Sequence, residues 1–199
     1  MPKTKFTKLS ELIPICLLTT LFLVNICYSH AHIFIDYKVH ACVGDSGLDG
    51  VFVNWTFDRM YTQFLQEEYD INNNGKLDKS EQKNIFLNSF KECKRTHYFA
   101  VIEVDGKNYS IPEPTNFSTR ISKDEECISY TFYLPLKIKA EKKKKNIEIY
   151  FFDPVIYVSF TVMKEDISIE NKSKNIEADI SLKQVEYANH AKIAIKQRS

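Results

Sequence analysis

Two groups of residues combine types and spacings that suit metal chemistry. In the first, Asp70, Asn72, Asn74, Gly75, Lys76, Asp78 and Glu81 stand at positions 1, 3, 5, 6, 7, 9 and 12 of a twelve-residue loop. Calcium is a hard cation that takes roughly six to eight oxygens at about 2.4 Å. An EF-hand loop supplies them from side chains at 1, 3 and 5, a backbone carbonyl at 7 and a bidentate glutamate at 12. Asp70, Asn72, Asn74, the Lys76 carbonyl and Glu81 fill those places, with Asp78 at the ninth. Gly75 allows the sharp turn, and Leu77 is the apolar anchor between the halves. The charge is modest and the chain has no second such loop to pair with. The expected affinity is therefore that of extracellular modules, about 10⁻⁴ to 10⁻³ M, and the expected role is structural. The same segment also reads as an Asn-rich turn in which Asp78 and Glu81 form a capping box.

The second group is His30-Ala31-His32. If a leader is cleaved after Ser29, a free amine, two amide nitrogens and the His32 imidazole can enclose Cu²⁺ or Ni²⁺ in a square plane. Ala31 keeps the amide nitrogen that proline would remove. Cleavage after Ala31 leaves an amine–imidazole chelate at His32. Two residues apart on a strand means about 6.6 Å, so His30 and His32 can cooperate, whereas His32 and Asp36 are about 13 Å apart. Further ligands must come from other elements, and Asp58, His97, Asp153 and His190 are the options. Each has a plainer use: Asp58 as a helix N-cap, Asp153 before Pro154 as a turn residue, His97 at a strand edge. Zn²⁺, Ni²⁺, Co²⁺ or Cu²⁺ would suit such imidazoles.

The elements that must position these groups can be read from periodicity. From His30 to Val43 the chain alternates, with Ile33, Ile35, Tyr37 and Val39 on one side and His32, Phe34, Asp36 and His40 on the other. Residues 44–50 read as a turn and 51–57 as the returning strand. The period then changes: Phe57, Tyr61, Phe64 and Leu65 recur at helical spacing, as do Ile85, Phe86, Phe90 and Cys93 beyond the loop. Residues 98–104 and 108–111 around Asp105-Gly106 read as a tight hairpin. Further strands are expected over 117–121, 127–138, 147–152 and 155–163. The basic run Lys142 to Lys145 reads as a solvated hairpin tip. The expected fold is α+β: an antiparallel, sandwich-like β domain with an EF-hand-like helix–loop–helix inserted over 57–95. Beyond residue 168 the pattern weakens, with some alternation over 176–185.

Length and composition bound the rest. The 199 residues are enough for one domain with a core. Lys3, Lys5 and Lys8 precede the apolar run from Leu12 to Ile26, followed by small Ser29 and Ala31, the layout of a secretory signal peptide. Residues 1–29 are thus expected to be removed, leaving a single exported domain over 30–199, periplasmic or otherwise extracytoplasmic. An uncleaved leader would leave the domain associated with the membrane. Removing Lys3, Lys5, Lys8 and Glu11 from 27 basic and 26 acidic residues leaves a net charge of −1, so no basic field favours nucleic acid. Cys42, Cys93 and Cys127 match no zinc-knuckle spacing and allow one bridge at most. With only 5 glycines, phosphate-cradling loops are not expected. No nucleophile stands with a nearby base, and no small-molecule substrate is evident.

His30-Ala31-His32-Ile33-Phe34-Ile35-Asp36, Val53-Asn54-Trp55-Thr56-Phe57-Asp58, the calcium-type loop, Tyr98-Phe99, Val104-Asp105-Gly106-Lys107 and Phe152-Asp153-Pro154 follow one another in order. The set resembles a bacterial exported family of unknown function, described as the periplasmic component of an uncharacterised ABC-type transport system. The resemblance spans residues 30–165. It implies association with nickel, cobalt or zinc transporters, with His30 and His32 as metal ligands. Members typically begin the mature chain with His-Pro-His, so Ala31 is a departure that favours imidazole over amide ligation as the shared chemistry. The expectation is a non-enzymatic metal-binding accessory of a membrane transporter for divalent cations. The alternative is a calcium-stabilised protein-binding module without transition-metal function; an oxidative copper site at the terminus is a third reading.

Overall fold

Alternation sets the first strand. In Ile33–Gly44 (β1) the side chains of Ile35, Tyr37, Val39, Ala41 and Val43 are buried, while Phe34, Asp36 and Lys38 face solvent. It pairs antiparallel with Gly47–Phe57 (β2), so the hairpin turns on Asp45 and Ser46 alone, tighter than the sequence implied. Gly47 has φ of 143°, and a Cβ there would lie 2.1 Å from the Ile138 carbonyl oxygen. Only glycine lets the chain pass so close at that angle. The structure, a computed structural model, describes residues 31–122, 126–185 and 188–198. The leader expected over 1–29 and the candidate ligand His30 lie outside the described residues.

The expected α+β class is overturned. The described residues form twelve strands, against two α-helices, Arg59–Tyr69 (α1) and Lys79–Asn88 (α2), and two 3-10 segments, Phe90–Phe99 and Lys164–Asp166. The protein is β-rich, with the helix pair as a short insertion after β2. The remaining strands are Ala100–Val104 (β3), Lys107–Asn108 (β4), Thr115–Ser122 (β5), Cys127–Leu134 (β6), Ile138–Lys139 (β7), Lys145–Phe151 (β8), Val158–Thr161 (β9), Ile167–Asn171 (β10), Ile176–Lys183 (β11) and His190–Gln197 (β12). One sheet runs β10-β1-β2-β6-β5, with β9 also on β1 and β7 on β2; the other runs β11-β12-β8-β3-β4. The first sheet is mixed rather than antiparallel, because β9 and β10 both lie parallel to β1, one beyond the other. The basic run at 142–145 is no hairpin tip either. It carries the chain from β7 in one sheet to β8 in the other.

The two sheets bury their inner faces against each other. Tyr37 of β1 meets Phe151 of β8 edge-on at 4.8 Å, and Trp55 of β2 meets the same ring at 5.4 Å. Phe90, Phe132 and Phe160 complete an aromatic cluster around Trp55. Edge-to-face contact aligns ring edges with ring faces and adds to the area term. β12 supplies Ile193 and Ile195 from a segment that the sequence left unassigned, because charged Lys192 and Lys196 alternate with them on the outer face. Among the described residues, no helix is long and apolar enough to cross a membrane.

Candidate functional site

The helix pair begins at Asp58. Its Oδ1 accepts the Tyr61 N–H at 2.9 Å as N-cap of α1, and its Oδ2 accepts the Phe34 N–H at 2.7 Å. One carboxylate thus ties the start of the helix to the start of β1. Both oxygens accept a backbone N–H, the N-cap use that its residue type predicted. Asp153 is spent in the same way on the N–H groups of Val155, Tyr157 and Val158. These are the plainer uses that residue type predicted.

Between α1 and α2 lies the calcium-type loop. Asp70 closes α1 and turns both oxygens inward, accepting Asn74 N–H at 3.1 Å and Gly75 N–H at 2.8 Å. Asn72 Oδ1 accepts Asn74 N–H, and Asn74 Oδ1 accepts Lys76 N–H. The side-chain oxygens at positions 1, 3 and 5 therefore all hold backbone N–H groups of the turn. Gly75 takes φ of 70°, in the left-handed region open to glycine. Leu77 is buried as the anchor. Asp78 caps α2 through Ser80 and Glu81 N–H, and Glu81 Oε2 accepts Asp78 N–H at 2.8 Å, a full capping box. Backbone donation from Glu81, with help from the Ser80 hydroxyl, holds the Asp78 carboxyl below its ordinary range.

Asp70 is 7% exposed and Glu81 2% exposed. Among the described residues no Lys, Arg or His nitrogen pairs with either one. Buried carboxylates ordinarily find a cation, either a basic side chain or a metal. The loop brings two of them to its opposite ends without one.

α1, with Asn88 at the end of α2, also walls a cavity of about 490 Å³. Tyr61, Phe64, Leu65 and Tyr69 of α1 form one side, Trp55, Phe57 and Tyr130 of the first sheet the floor, and Tyr157 a lip. Phe64 is 54% and Tyr157 52% exposed, so the rim is apolar as well. Trp55 Nε1 is buried with no hydrogen-bond partner among the described residues. Burial raises the hydroxyl pKa of both Tyr61 and Tyr130, which stay neutral here. The cavity is suited to apolar groups.

His32 lies at that lip. Its ring sits 5.0 Å from that of Tyr157, it is exposed, and its N–H donates to the Tyr157 carbonyl. No described side chain hydrogen-bonds its imidazole. His97 is exposed in the 3-10 segment, at φ of 51°, rather than on a strand edge. His190 stacks on Tyr150 at 3.8 Å and pairs with Glu148, which also holds Lys183. Of the other candidates, Asp58 and Asp153 hold the backbone N–H groups of Phe34, close to His32 on β1, and of Tyr157, paired with His32, while His97 and His190 have surroundings of their own.

A different group is gathered. His40, Cys42 and Glu170 bring their ligand atoms within 4.8 Å of one another. The spacing of His40 and Cys42 on one strand face was visible in the sequence. Glu170 was not, because it arrives through the parallel pairing of β10 with β1. Burial, together with the charges of Glu170 and Asp49, pushes the Cys42 thiol up, against the opposing charge of Lys172.

The chain belongs to the family described as a protein of unknown function (DUF1007), whose model matches residues 15–197. It is also similar to an uncharacterised protein of Haemophilus influenzae, 25% identical over 168 residues, covering 82% of this chain and 78% of that protein.

Proposed function

We propose that the protein is an exported, calcium-stabilised binding module. An ion held by Asp70, Asn72, Asn74, the Lys76 carbonyl and Glu81, with Asp78 at the ninth position, fixes the angle between α1 and α2. Those helices wall the apolar cleft over Trp55, into which a partner protein inserts an apolar side chain. The observation that carries this reading is the pair of buried acids, Asp70 and Glu81, without a basic partner among the described residues. The exposed Phe64 and Tyr157 on the rim support an interface, since contiguous apolar rims mark interaction sites. The test is thermal melting in calcium and in chelator, for the wild type and Glu81→Gln. A rise in Tm with calcium that Glu81→Gln loses is expected. Identical melting of the wild type in both media rejects the reading.

A second reading is favoured by the exposed His32 imidazole at the lip of the same cleft. On it, His30 and His32 capture Zn²⁺, Ni²⁺ or Co²⁺ for a membrane transporter of divalent cations, with calcium keeping its structural part. The resemblance to periplasmic components of an ABC-type transport system supports it. Isothermal titration with these metals, on the wild type and on His30→Ala/His32→Ala, decides it. One metal equivalent at micromolar or tighter affinity that the double variant loses is expected, and a double variant that binds as many equivalents as the wild type rejects it.

A further inference from the structure

We propose that His40, Cys42 and Glu170 form a binding site for a borderline divalent transition-metal ion, Zn²⁺ above all, on the outer face of the first sheet. The site is assembled by strand geometry. Side chains two apart on β1 share a face, and Val39 and Ala41 point into the core, so His40 and Cys42 both point outward. Parallel pairing sets Ser168 opposite His40 and Glu170 opposite Cys42. The result is a two-by-two array in which three corners are metal ligands.

The fourth corner orients the first. Ser168 Oγ lies 2.9 Å from His40 Nδ1, and His40 Nε2 lies 4.0 Å from Glu170 Oε2. With Nδ1–H donated to Ser168, the lone pair sits on Nε2, toward Glu170 and Cys42. Such outer hydrogen bonds fix the tautomer of metal-bound histidines. Imidazole nitrogen, thiolate sulfur and carboxylate oxygen are the three donor types that Zn²⁺ accepts, and three protein ligands leave one place for water or an incoming group. The His40 and Glu170 side chains are 43% and 49% exposed, so an ion reaches them without any opening of the fold. Lys172 Nζ stands 3.3 Å from Glu170 Oε2 as the present counter-charge. It is 72% exposed on a flexible stem and swings away at little cost. Eight residues of extended chain place His32 about 26 Å from His40, so this site shares no ion with the terminal histidines.

Cobalt absorption tests the assignment on protein carrying His30→Ala and His32→Ala, reduced and freed of metal. One equivalent of Co²⁺ giving a thiolate-to-metal charge-transfer band, displaced by Zn²⁺, is expected. Cys42→Ser should abolish the band, while His40→Ala and Glu170→Gln each weaken binding by about tenfold or more. Ser168→Ala keeps every ligand and is expected to weaken binding by about tenfold, which secures the test if a ligand variant fails to fold. Glu81→Gln should leave the band unchanged, which separates this site from the calcium loop. No band in the parent protein, or a band that survives Cys42→Ser, overturns the proposal.

Discussion

The Glu81 carboxylate and the Asn72 backbone N–H, nine residues apart, meet across the loop at 3.4 Å. Glu81 Oε2 meanwhile holds Asp78 N–H at 2.8 Å. One side chain therefore spans both halves of the segment. The longer of the two bonds is the weaker, so freeing Oε1 for an ion costs little. On the proposed reading, capping and ion binding are compatible uses of the same residue.

Asp78→Ala separates the two uses. The cap is lost with or without calcium, so stability should fall in chelator as well. Urea midpoints in chelator measure it. A variant as stable as the wild type there would show that the cap contributes nothing.

Asp58→Ala should cost more than an isolated cap, because Asp58 also holds the Phe34 N–H. A loss of about 2 kcal/mol, with metal binding unchanged, is expected from thermal or urea unfolding. A changed transition-metal affinity would instead mark Asp58 as a ligand.

Trp55 is the single tryptophan of the chain, and it lines the cleft. Its emission should be blue-shifted and should respond when a small aromatic probe enters. Leu65→Ala, at the 1% exposed wall position on α1, should enlarge the cavity and cost about 2 to 5 kcal/mol. Fluorescence titration of both proteins checks this. Emission indifferent to every apolar probe counts against the cleft as a binding site.

Glu148 gives the fold an acid sensitivity. Burial pushes its carboxyl up, but hydrogen bonds and charge from Lys183 and His190 prevail and hold it below its ordinary 4.5. A lowered folded-state pKa contributes stability above the unfolded pKa and loses it as pH falls through the folded one. The stability gap between wild type and Glu148→Gln should therefore shrink as pH falls from above the ordinary 4.5 through the lowered folded-state value. Urea unfolding across that range reads it directly. A constant gap would contradict the assignment.

The sequence showed best what rests on local chemistry. The β1 alternation, the Asp58 cap and the loop positions from Asp70 to Glu81 are short-range patterns, and each appears in the structure. The fold class did not follow, because the later strands are edge or half-exposed elements in which Lys192 and Lys196 mask Ile193 and Ile195. The parallel placement of β9 and β10 was also beyond reach. It depends on which edge of β1 the chain returns to more than a hundred residues later, and with it went the meeting of Glu170 with His40 and Cys42. Asp153 shows the opposite case, a residue whose turn chemistry was legible from its place before Pro154 and is present in the structure.

Isothermal titration of calcium into metal-free protein tests the central claim most directly. One site is expected, at about 10⁻⁴ to 10⁻³ M, stabilising the fold by up to about 2.7 kcal/mol at a hundredfold excess over Kd. Glu81→Gln should remove it. Absence of calcium-dependent heat together with an unchanged Tm, or binding retained in Glu81→Gln, would contradict the account.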